Sequence, residues 1–370
     1  MYIIDIFYFR FLKTDGTGIS IGGVETYIGE LSQLAMSMHI GVRIFQYANK
    51  EFVKETSSAI IYGVCGKKKT FEKLYQKALS IRDERNTYLN IIASDILIPQ
   101  WKVPNSIAIQ HGIGFDNREG RSNSIPLSFL CRTFKAYRRI KRIQNVDEVV
   151  CVDNNFICWY RTQIPQRRMT LIPIMNFAPV GSERVSKSDD PIKIVFARRF
   201  VPIRGTRLFA PVAKRLLDNY GNNVDITFAG DGPDGSYLHN YFIGDKRVHF
   251  TQYEPSKSVE FHQQFNIAVV PSVYSEGTSL SLLEAMSAQC AVVCTNIGGM
   301  TNIILDQYNG IMISPSEEDL WEALSILIKD KSLRIRLSQN AYYTVKYSFS
   351  LEKWQLAWKK VLMDKFDKSE

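Results

Sequence analysis

Hydrophobic residues along the chain fall into short continuous runs, and longer amphipathic segments separate these runs. The runs have the length and composition of β-strands, whereas the segments between them have the spacing of helices. Strands separated by helices indicate parallel sheets with crossover helices. The predicted strands are residues 2–9, 42–48, 90–96, 105–112, 147–153, 192–199, 224–232, 248–253, 267–272 and 291–296.

The amphipathic segments predict the connecting helices. The clearest are residues 23–38, 206–221, 317–330 and 348–366. The last of them carries Trp354, Trp358 and Val361 on one face, which is typical of a helix that packs against a domain.

A polar stretch, 178–191, interrupts the alternation and contains two prolines and a glycine without any apolar period. It predicts an interdomain linker. We therefore expect an α/β protein with two doubly wound, Rossmann-like domains, whose strand ends face a central cleft where ligands bind. The predicted boundaries are 1–178 for the N-terminal domain, 179–190 for the linker, 191–348 for the C-terminal domain and 349–370 for a helix that packs back towards the N-terminal domain.

The 370-residue chain is 45% hydrophobic and 22% charged, with a net charge of +9. This charge suits a phosphate-bearing ligand, a nucleic acid or an anionic membrane surface, and does not choose among them. The chain has no run of about 18 apolar residues, so we expect no transmembrane helix. Its start reads as a buried strand rather than a signal peptide. The six cysteines form no C-x-x-C pair, which favours buried free thiols in the cytoplasm.

The segment SIGGVET, 20–26, places a glycine pair before a predicted helix. Gly22 and Gly23 could let an anionic or sugar ligand approach the backbone at the helix N-terminus. The alternative is a simple tight turn. No G-x-G-x-x-G or G-x-x-x-x-G-K-[ST] motif occurs, so a nicotinamide site or a phosphate loop is not supported.

Basic residues follow the strand at 192–199. Arg198, Arg199 and Arg204 could meet phosphate oxygens with paired hydrogen bonds. An exposed basic turn is the alternative.

A second strand-end turn is AGDGPDG, 229–235, in which Gly230 and Gly232 allow tight geometry. Asp231 could bind a ligand or merely form the turn. No D-x-D pair and no H-E-x-x-H motif occurs, so no catalytic metal is expected.

His111 lies in the segment 107–116, at the end of a predicted strand. There it could orient or polarise a hydroxyl group. The alternative is a structural histidine that bonds a backbone carbonyl.

The segment 127–144 is basic and amphipathic. Its basic residues are Arg132, Lys135, Arg138, Arg139, Lys141 and Arg142, and they alternate with Leu130, Phe134, Tyr137 and Ile140. This pattern favours an anionic membrane surface or a nucleic acid, and a solvated helix face is the alternative. No nucleic-acid-binding module accompanies it, so nucleic acid is not expected.

The stretch PSVYSEGTSLSLLEAM, 271–286, places Glu276 in a loop and Glu284 among leucines. Burying a carboxylate is costly unless it is hydrogen-bonded. Eight helical residues rise roughly 12 Å. Two carboxylates at that separation could hold hydroxyl groups on either side of a diphosphate.

A helix that begins near Ser279 would also leave the N–H groups of Gly277, Thr278 and Ser279 as an anion site. The alternative for Glu284 is a capping box that starts at Ser281.

Together these residues resemble glycosyltransferase family 4, which consists of retaining enzymes with the GT-B fold. The resemblance covers most of the chain and is strongest from 192 to 312. EGTSLSLLE is similar to the E-x7-E motif of the family. By that likeness Glu276 faces the hydroxyls of the donor sugar and Glu284 those of the ribose.

Other segments extend the resemblance. RFVPIRG is similar to the segment that supplies two basic residues to the diphosphate, here Arg199 and Arg204, although the family usually has Lys at the second position. AGDGP and IGGVET resemble two glycine turns of the family, and His111 stands where a histidine often lies near the reacting sugar. In two places the chain departs from the family: AQCA, 288–291, replaces a Gly-x-Pro turn, and Asn302 stands where a Glu is usual.

The resemblance implies a retaining glycosyltransferase with an N-terminal acceptor domain and a C-terminal nucleotide-sugar domain. The donor would be a UDP- or GDP-sugar, with UDP preferred, and no cofactor or metal is expected. The acceptor would be a lipid-linked or surface-polysaccharide intermediate, as in lipopolysaccharide or capsule synthesis. A cytoplasmic bacterial enzyme at the inner face of the membrane is expected.

The expected catalytic residues are Glu276, His111, Arg199 and Arg204. The expected substrate-binding residues are Gly22, Gly23, Glu25, Arg199, Arg204, Gly230, Asp231, Glu276, Gly277, Thr278, Ser279 and Glu284. Two alternatives stay open: an epimerase or phosphorylase of the same fold, and a non-enzymatic basic protein that binds nucleic acid or membrane.

Overall fold

The computed structural model divides into two compact units. One consists of Met1–Met175 together with Trp354–Glu370, and the other of Asn176–Lys353. The structure describes residues 1–20, 22–66, 70–113, 125–163, 170–181, 189–274 and 276–367, except for the side chains of 125–129 and 132. Some parts of the chain therefore lie outside the described part. They include residues 182–188 of the predicted linker, the side chain of Arg132 in the basic segment, and the last three residues.

The first unit contains one sheet with helices between its strands. Its strands are β1 (Tyr2–Tyr8), β2 (Gly41–Ala48), β3 (Phe52–Glu55), β4 (Ile60–Cys65), β5 (Thr87–Ile92), β6 (Ser106–Gln110), β7 (Glu148–Cys151) and β8 (Thr170–Pro173). Its helices are α1 (Gly23–Ser37), α2 (Phe71–Leu79), α3 (Ile125–Ile143) and α4 (Asn154–Gln163). The strand order is β3-β4-β2-β1-β5-β6-β7-β8, and every pair is parallel except β3 with β4.

The second unit repeats this design with a six-stranded parallel sheet. Its strands are β9 (Ile192–Ala197), β10 (Val224–Ala229), β11 (Val248–Thr251), β12 (Ile267–Val270), β13 (Ala291–Thr295) and β14 (Ile311–Ile313). Its helices are α5 (Thr206–Tyr220), α6 (Gly235–Tyr241), α7 (Ser258–His262), α8 (Leu280–Ser287), α9 (Glu317–Lys329) and α10 (Lys331–Thr344). The strand order is β11-β10-β9-β12-β13-β14. The prediction of two α/β domains built on parallel strands is confirmed, with β3 as an antiparallel edge strand of the first sheet.

The last helix, α11 (Leu351–Asp367), belongs to the first unit from Trp354 onwards. Trp358 is fully buried, and its indole Nε1 donates a hydrogen bond of 2.7 Å to the hydroxyl of Tyr27 on α1. Trp354 meets the same tyrosine ring edge to face at 4.9 Å. The tryptophan face of α11, visible in the sequence, therefore packs against α1.

The structure differs from the predicted elements in a few places. The predicted strand 90–96 ends at Ile92, because Asp95–Leu97 forms a 3-10 turn. The last helix begins at Leu351 rather than 348, since Val345–Phe349 forms a π-helical turn before it. Strands β3, β4, β8 and β14 were not predicted. Three of them, β3, β8 and β14, have only three or four residues and lie at sheet edges, where short strands carry a weak sequence signal.

A buried ionic cluster explains how Asp5 can lie in the centre of the first sheet. Asp5 is fully buried on β1, and its carboxylate accepts hydrogen bonds from Arg43 at 2.7 and 2.8 Å. Arg43 is its registered neighbour on β2. Arg82 bonds the same carboxylate at 2.7 Å and also Asn90 on β5 at 2.5 Å. The cluster ties three strands together and compensates the buried charge.

Replacing Asp5 with Ala should therefore lower the free energy of unfolding of the first unit by about 3–5 kcal/mol, because two guanidinium groups lose their carboxylate in a buried site. Urea unfolding followed by circular dichroism measures this loss. Asp83→Ala is the matched control, since its partner Arg85 is exposed and such surface pairs contribute at most about 1 kcal/mol. Equal losses in the two variants would contradict a structural role of the cluster.

Candidate active site

In the second unit the carboxylate of Glu276 lies against two guanidinium groups. Arg198 Nη2 bonds its two oxygens at 2.6 and 2.7 Å. Arg204 Nη1 lies 2.7 Å from Oε2, and the hydroxyl of Ser272 donates to Oε2 at 2.6 Å. Arg198 directly follows β9, and Ser272 stands two residues after the neighbouring strand β12. The cluster therefore forms at the carboxyl ends of two adjacent parallel strands.

The two arginines keep the Glu276 carboxylate ionised. Only 11% of its side chain is exposed, and this burial by itself would raise the pKa. The charges of Arg198 and Arg204 outweigh the burial and lower the pKa of Glu276 to about 2. The group is therefore a pure hydrogen-bond acceptor throughout the physiological pH range.

Two glycines let the loops of this cluster approach each other. Gly205, which follows Arg204, has a φ of +85°, and a Cβ there would lie 1.9 Å from the carbonyl oxygen of Pro271. Gly298 has a φ of +55°, and its Cβ would lie 2.1 Å from the carbonyl oxygen of Glu276. A side chain at either position would push apart the backbones that carry the charged groups.

The turn at Gly230 and Asp231 packs closely against the backbone of Arg198, which belongs to the same cluster. An added Cβ at Gly230 would lie 2.1 Å from the carbonyl oxygen of Arg198. The exposed Asp231 carboxylate accepts a hydrogen bond of 2.7 Å from the N–H of Gly232, and its carbonyl accepts one of 2.8 Å from Phe200. Here Asp231 forms the turn, and contact with a ligand stays a prediction.

Helix α8 begins at Leu280 with Ser279 as its N-cap, which confirms the predicted start. Gly277, Thr278 and Ser279 are buried and connect Glu276 to the first helical turn. The hydroxyl of Thr278 accepts a bond of 2.8 Å from the N–H of Asn176, and its carbonyl accepts one from the side-chain amide of the same residue. These contacts fix the backbone that leads from Glu276 into the positive end of the helix dipole.

Glu284 lies one turn further along α8 and is half-buried. Its carboxyl interacts with the hydroxyl of Ser258, and burial raises its pKa to about 7. A capping box from Ser281 is wrong, because Ser279 is the N-cap and Glu284 therefore stands too far along the helix to reach back. The two carboxylates of the E-x7-E segment thus have opposite environments.

Beyond α8 the AQCA segment keeps the backbone shape of a glycine turn without the glycine. Gln289 has a φ of +55°, in the left-handed region that helix C-termini usually fill with glycine. Its N–H donates to the carbonyl of Met286, and that of Cys290 donates to Ala285. Hydrogen bonding at the helix end thus holds the unusual residue in place.

In the first unit His111 is held by a backbone carbonyl, as the structural alternative predicted. Its Nε2 lies 3.1 Å from the carbonyl oxygen of Ala93. Because a carbonyl only accepts, Nε2 carries the proton and Nδ1 the lone pair. Burial lowers the pKa of His111 to about 4, so the ring is neutral at pH 7. The ring also meets Tyr27 of α1 edge to face at 5.4 Å. The binding role of His111 stays a prediction.

The glycine turn before α1 is less constrained than its sequence suggests. Gly22 has an extended backbone with a φ of 175°, which any residue can adopt, and Gly23 begins the helix. An added Cβ at Gly22 would lie 2.3 Å from a carboxylate oxygen of Glu25, at the tip of a flexible side chain. Glu25 Oε1 also accepts a long contact of 3.5 Å from the hydroxyl of Tyr8. The small size of Gly22 therefore leaves room for Glu25.

The structure thus brings Glu276 together with Arg204 and Arg198, two of the three arginines that the sequence singled out, and adds Ser272. Arg199 has an exposed side chain and does not join the cluster, so its contact with a diphosphate stays a prediction. Successive side chains along a strand point in opposite directions, so adjacent arginines at its end cannot both turn inward. The sequence signal for Ser272 was its place directly after Pro271, at the end of the next strand.

Replacing Glu284 with Gln should stabilise the ligand-free protein at alkaline pH. A carboxyl with a raised pKa favours its protonated form in the folded state, so stability is lost as the pH rises from about 4.5 through about 7. Glutamine mimics the protonated form. We expect the melting temperature to rise by about 2–4 °C at pH 8 and to change little at pH 5. Glu276→Gln is the control and should lower the melting temperature at pH 8, because the pKa of the Glu276 carboxyl is lowered in the folded protein. A destabilised Glu284→Gln protein at pH 8 would contradict the assigned environment.

Comparison with known proteins agrees with this architecture. Residues 182–344 match the family described as glycosyl transferases group 1. Two uncharacterized glycosyltransferases of Methanocaldococcus jannaschii are 25% and 23% identical, over 59% and 92% of this chain and 59% and 94% of their own length. An N,N'-diacetylbacillosaminyl-diphospho-undecaprenol alpha-1,3-N-acetylgalactosaminyltransferase of Campylobacter jejuni is 32% identical, over 41% of this chain and 39% of its own.

Solved structures share the fold. Sucrose-phosphate synthase of Thermosynechococcus elongatus superposes with a TM-score of 0.79 at 17% identity, over 100% of both chains. Anabaena HepE in complex with UDP and glucose superposes with a TM-score of 0.72 at 13% identity, over 98% of this chain and 100% of the other. The chain therefore has the GT-B fold, and its residues 182–344 are similar to the group 1 glycosyltransferases.

Proposed function

We propose that the protein transfers a sugar from a nucleotide-sugar donor to a hydroxyl group of an acceptor, with retention of configuration at the anomeric carbon. The observation that carries this proposal is the convergence of Arg198 and Arg204 on Glu276, at the carboxyl ends of β9 and β12. Doubly wound folds bind ligands at that edge of the sheet. One site thus offers cations for a diphosphate and an ionised carboxylate for sugar hydroxyls.

The chemistry requires stabilisation of the charge that develops on the leaving diphosphate. Arg204 and the N-terminal turn of α8 would supply this stabilisation, with Arg199 as a further cation. Glu276 would accept hydrogen bonds from the sugar and hold it for attack. Neutral His111, with its Nδ1 lone pair, would accept a hydrogen bond from a hydroxyl group. Glu284 would hold the ribose.

Retention fits a front-face attack. The acceptor oxygen forms a bond to the anomeric carbon on the side from which the phosphate oxygen departs. The departing phosphate oxygen takes the proton from the acceptor hydroxyl group. A two-step route needs a free carboxylate as nucleophile near the anomeric carbon. Glu276 suits that role poorly because two arginines hold both its oxygens.

The comparisons support one choice of donor and one class of acceptor. We favour a UDP-hexose over a GDP-sugar, since HepE of the same fold was crystallised with UDP and glucose. A lipid-linked acceptor, or a surface-polysaccharide intermediate such as one of lipopolysaccharide or capsule, is supported by the Campylobacter relative, whose name gives a diphospho-undecaprenol substrate. No metal requirement is proposed. A bacterial enzyme working at the cytoplasmic face of the membrane would meet such an acceptor.

Helix α3 supports a peripheral membrane contact. Leu130, Phe134 and Tyr137 are 63%, 54% and 50% exposed, and their spacing puts them in one stripe. Arg138 lies 4.5 Å from the ring of Phe134, and Lys141 lies 4.8 Å from that of Tyr137. The sequence of the helix contains no acidic residue. A merely solvated face does not account for three exposed apolar side chains among cations, whereas an anionic membrane surface does.

None of the helices in the described part of the chain is long and apolar enough to cross a membrane.

The transfer reaction is tested by a screen of nucleotide sugars for released diphosphate, with lipid-linked sugars as acceptors. We expect one donor to be used, and Glu276→Gln should lower kcat/KM by about 10²–10³, the usual effect of losing a group that acts on the transition state. Glu284→Gln should instead weaken nucleoside diphosphate binding about tenfold, because its role is in the ground state. Calorimetry with UDP and GDP separates these effects.

Glu318→Gln is the matched control, since Glu318 is exposed and its ion pair is with the exposed Arg215. Its activity should equal that of the wild type. Near-normal turnover in Glu276→Gln would contradict the proposed role of the carboxylate. A sugar product formed with donor and water alone, with its configuration changed, would indicate an epimerase. If no nucleoside diphosphate raises the melting temperature, a basic binding protein is favoured instead.

The membrane contact is tested by sedimentation with vesicles. The protein should bind vesicles that contain anionic lipid, and binding should weaken with salt. Phe134→Ser should reduce binding by removing buried apolar area, and Arg138→Glu should reduce it by reversing a charge. Ile243→Ser is the control, because Ile243 is exposed but lies in the second unit. Equal binding to neutral and anionic vesicles would contradict an electrostatic contact.

A further inference from the structure

The two arginines at Glu276 are not equivalent. The Arg198 side chain is only 4% exposed, and its Nη1 donates to the hydroxyl of Ser272 at 2.6 Å. That hydroxyl in turn donates to Glu276, so Arg198, Ser272 and Glu276 close a ring of buried hydrogen bonds. Arg204 is 31% exposed and stands at the end of a 3-10 turn, Pro202–Arg204. It meets the carboxylate in an ion pair between Nη1 and Oε2.

The ligand-free carboxylate has little capacity left for a sugar. Oε2 of Glu276 is contacted by Arg198 at 2.7 Å, Ser272 at 2.6 Å and Arg204 at 2.7 Å, whereas Oε1 is contacted by Arg198 at 2.6 Å. A carboxylate offers about four lone-pair sites in all. A sugar that presents two hydroxyl groups therefore needs one of these partners to leave.

Arg204 is the partner that can leave at the lowest cost. Removing Arg198 would break several hydrogen bonds and leave a buried guanidinium uncompensated. Arg204 gives up an ion pair at a position where its side chain is already partly solvated. The phosphate oxygens of a nucleotide sugar also carry more negative charge than one carboxylate, and guanidinium groups bind them with paired hydrogen bonds.

We propose that Arg204 is an exchangeable partner of Glu276, which moves to the phosphates of the bound donor and thereby vacates one of the three contact positions at Oε2 for a hydroxyl group of the sugar. The inference rests on the proposed function and deepens it. It makes recognition of the sugar depend on the phosphate, because without an anion the carboxylate stays occupied. It also makes Glu276 a competitor of the phosphate for Arg204, since binding equilibria coupled through one group are reciprocal.

The competition gives a counterintuitive prediction, with inorganic pyrophosphate as the probe because it lacks sugar and base. Glu276→Gln should bind pyrophosphate about tenfold more tightly than the wild type, since Arg204 loses its competing charge. Arg204→Gln should bind it about tenfold more weakly. In the Arg204→Gln background the Glu276→Gln change should give no gain. Calorimetry on the full chain measures all four proteins, and Glu318→Gln should match the wild type.

Glu276→Asp is a second variant in case Glu276→Gln folds poorly. It keeps the negative charge beside Arg198 and shortens the reach towards Arg204, so pyrophosphate should again bind more tightly, by a smaller factor. Equal or weaker binding in both variants overturns the exchange while leaving glycosyl transfer intact. A gain that persists without Arg204 also overturns it. If the wild type binds neither pyrophosphate nor any nucleoside diphosphate, the proposed function fails together with the inference.

Discussion

The contact of Arg198 Nη2 with both carboxylate oxygens of Glu276 is the interaction on which the second unit's candidate site depends. It joins the residue after β9 to the loop after β12, so it turns two neighbouring strand ends into one chemical group. A nearly buried carboxylate without that partner would protonate and lose its charge. The surrounding loops are shaped for this contact, because Gly205, Gly230 and Gly298 each stand where a Cβ would collide with a backbone atom of the cluster. The close packing of these loops and the ion pair of Arg198 with Glu276 therefore depend on each other.

The two glutamates of the E-x7-E segment show how environment gives one residue type two characters. Cations hold the pKa of Glu276 at about 2, whereas burial beside a neutral hydroxyl raises the pKa of Glu284 to about 7. Pairs of carboxylates whose environments push their pKa values apart are a frequent mark of functional sites. An ionised Glu284 is unfavourable in the ligand-free protein, because burial opposes its charge and no ion pair compensates it among the described residues. Such a residue is understandable if a bound ligand stabilises the carboxylate in a way that the surrounding protein does not.

The first unit uses charge differently. Its buried ions, Asp5 with Arg43 and Arg82, lie in the middle of the sheet and serve the fold. At the strand ends it instead holds a neutral histidine, His111, whose proton position is fixed by a backbone carbonyl. Helix α3 carries six basic and no acidic residues in its sequence, together with exposed apolar side chains. This division suits a unit that meets an uncharged hydroxyl group and, by our proposal, a membrane surface.

The sequence by itself determined the architecture and the region of the site. Hydrophobic periodicity predicted ten strands and the main helices, because burial in a parallel sheet demands apolar runs that the chain displays directly. The E-x7-E segment and the strand-end arginines identified the place, since strand ends of such folds converge. Only the tertiary structure decided which arginine turns towards Glu276, that Ser272 joins them, and that Glu284 meets Ser258 instead of capping its helix. These choices depend on side-chain direction and on contacts between residues far apart in the chain, and neither is written into local sequence spacing.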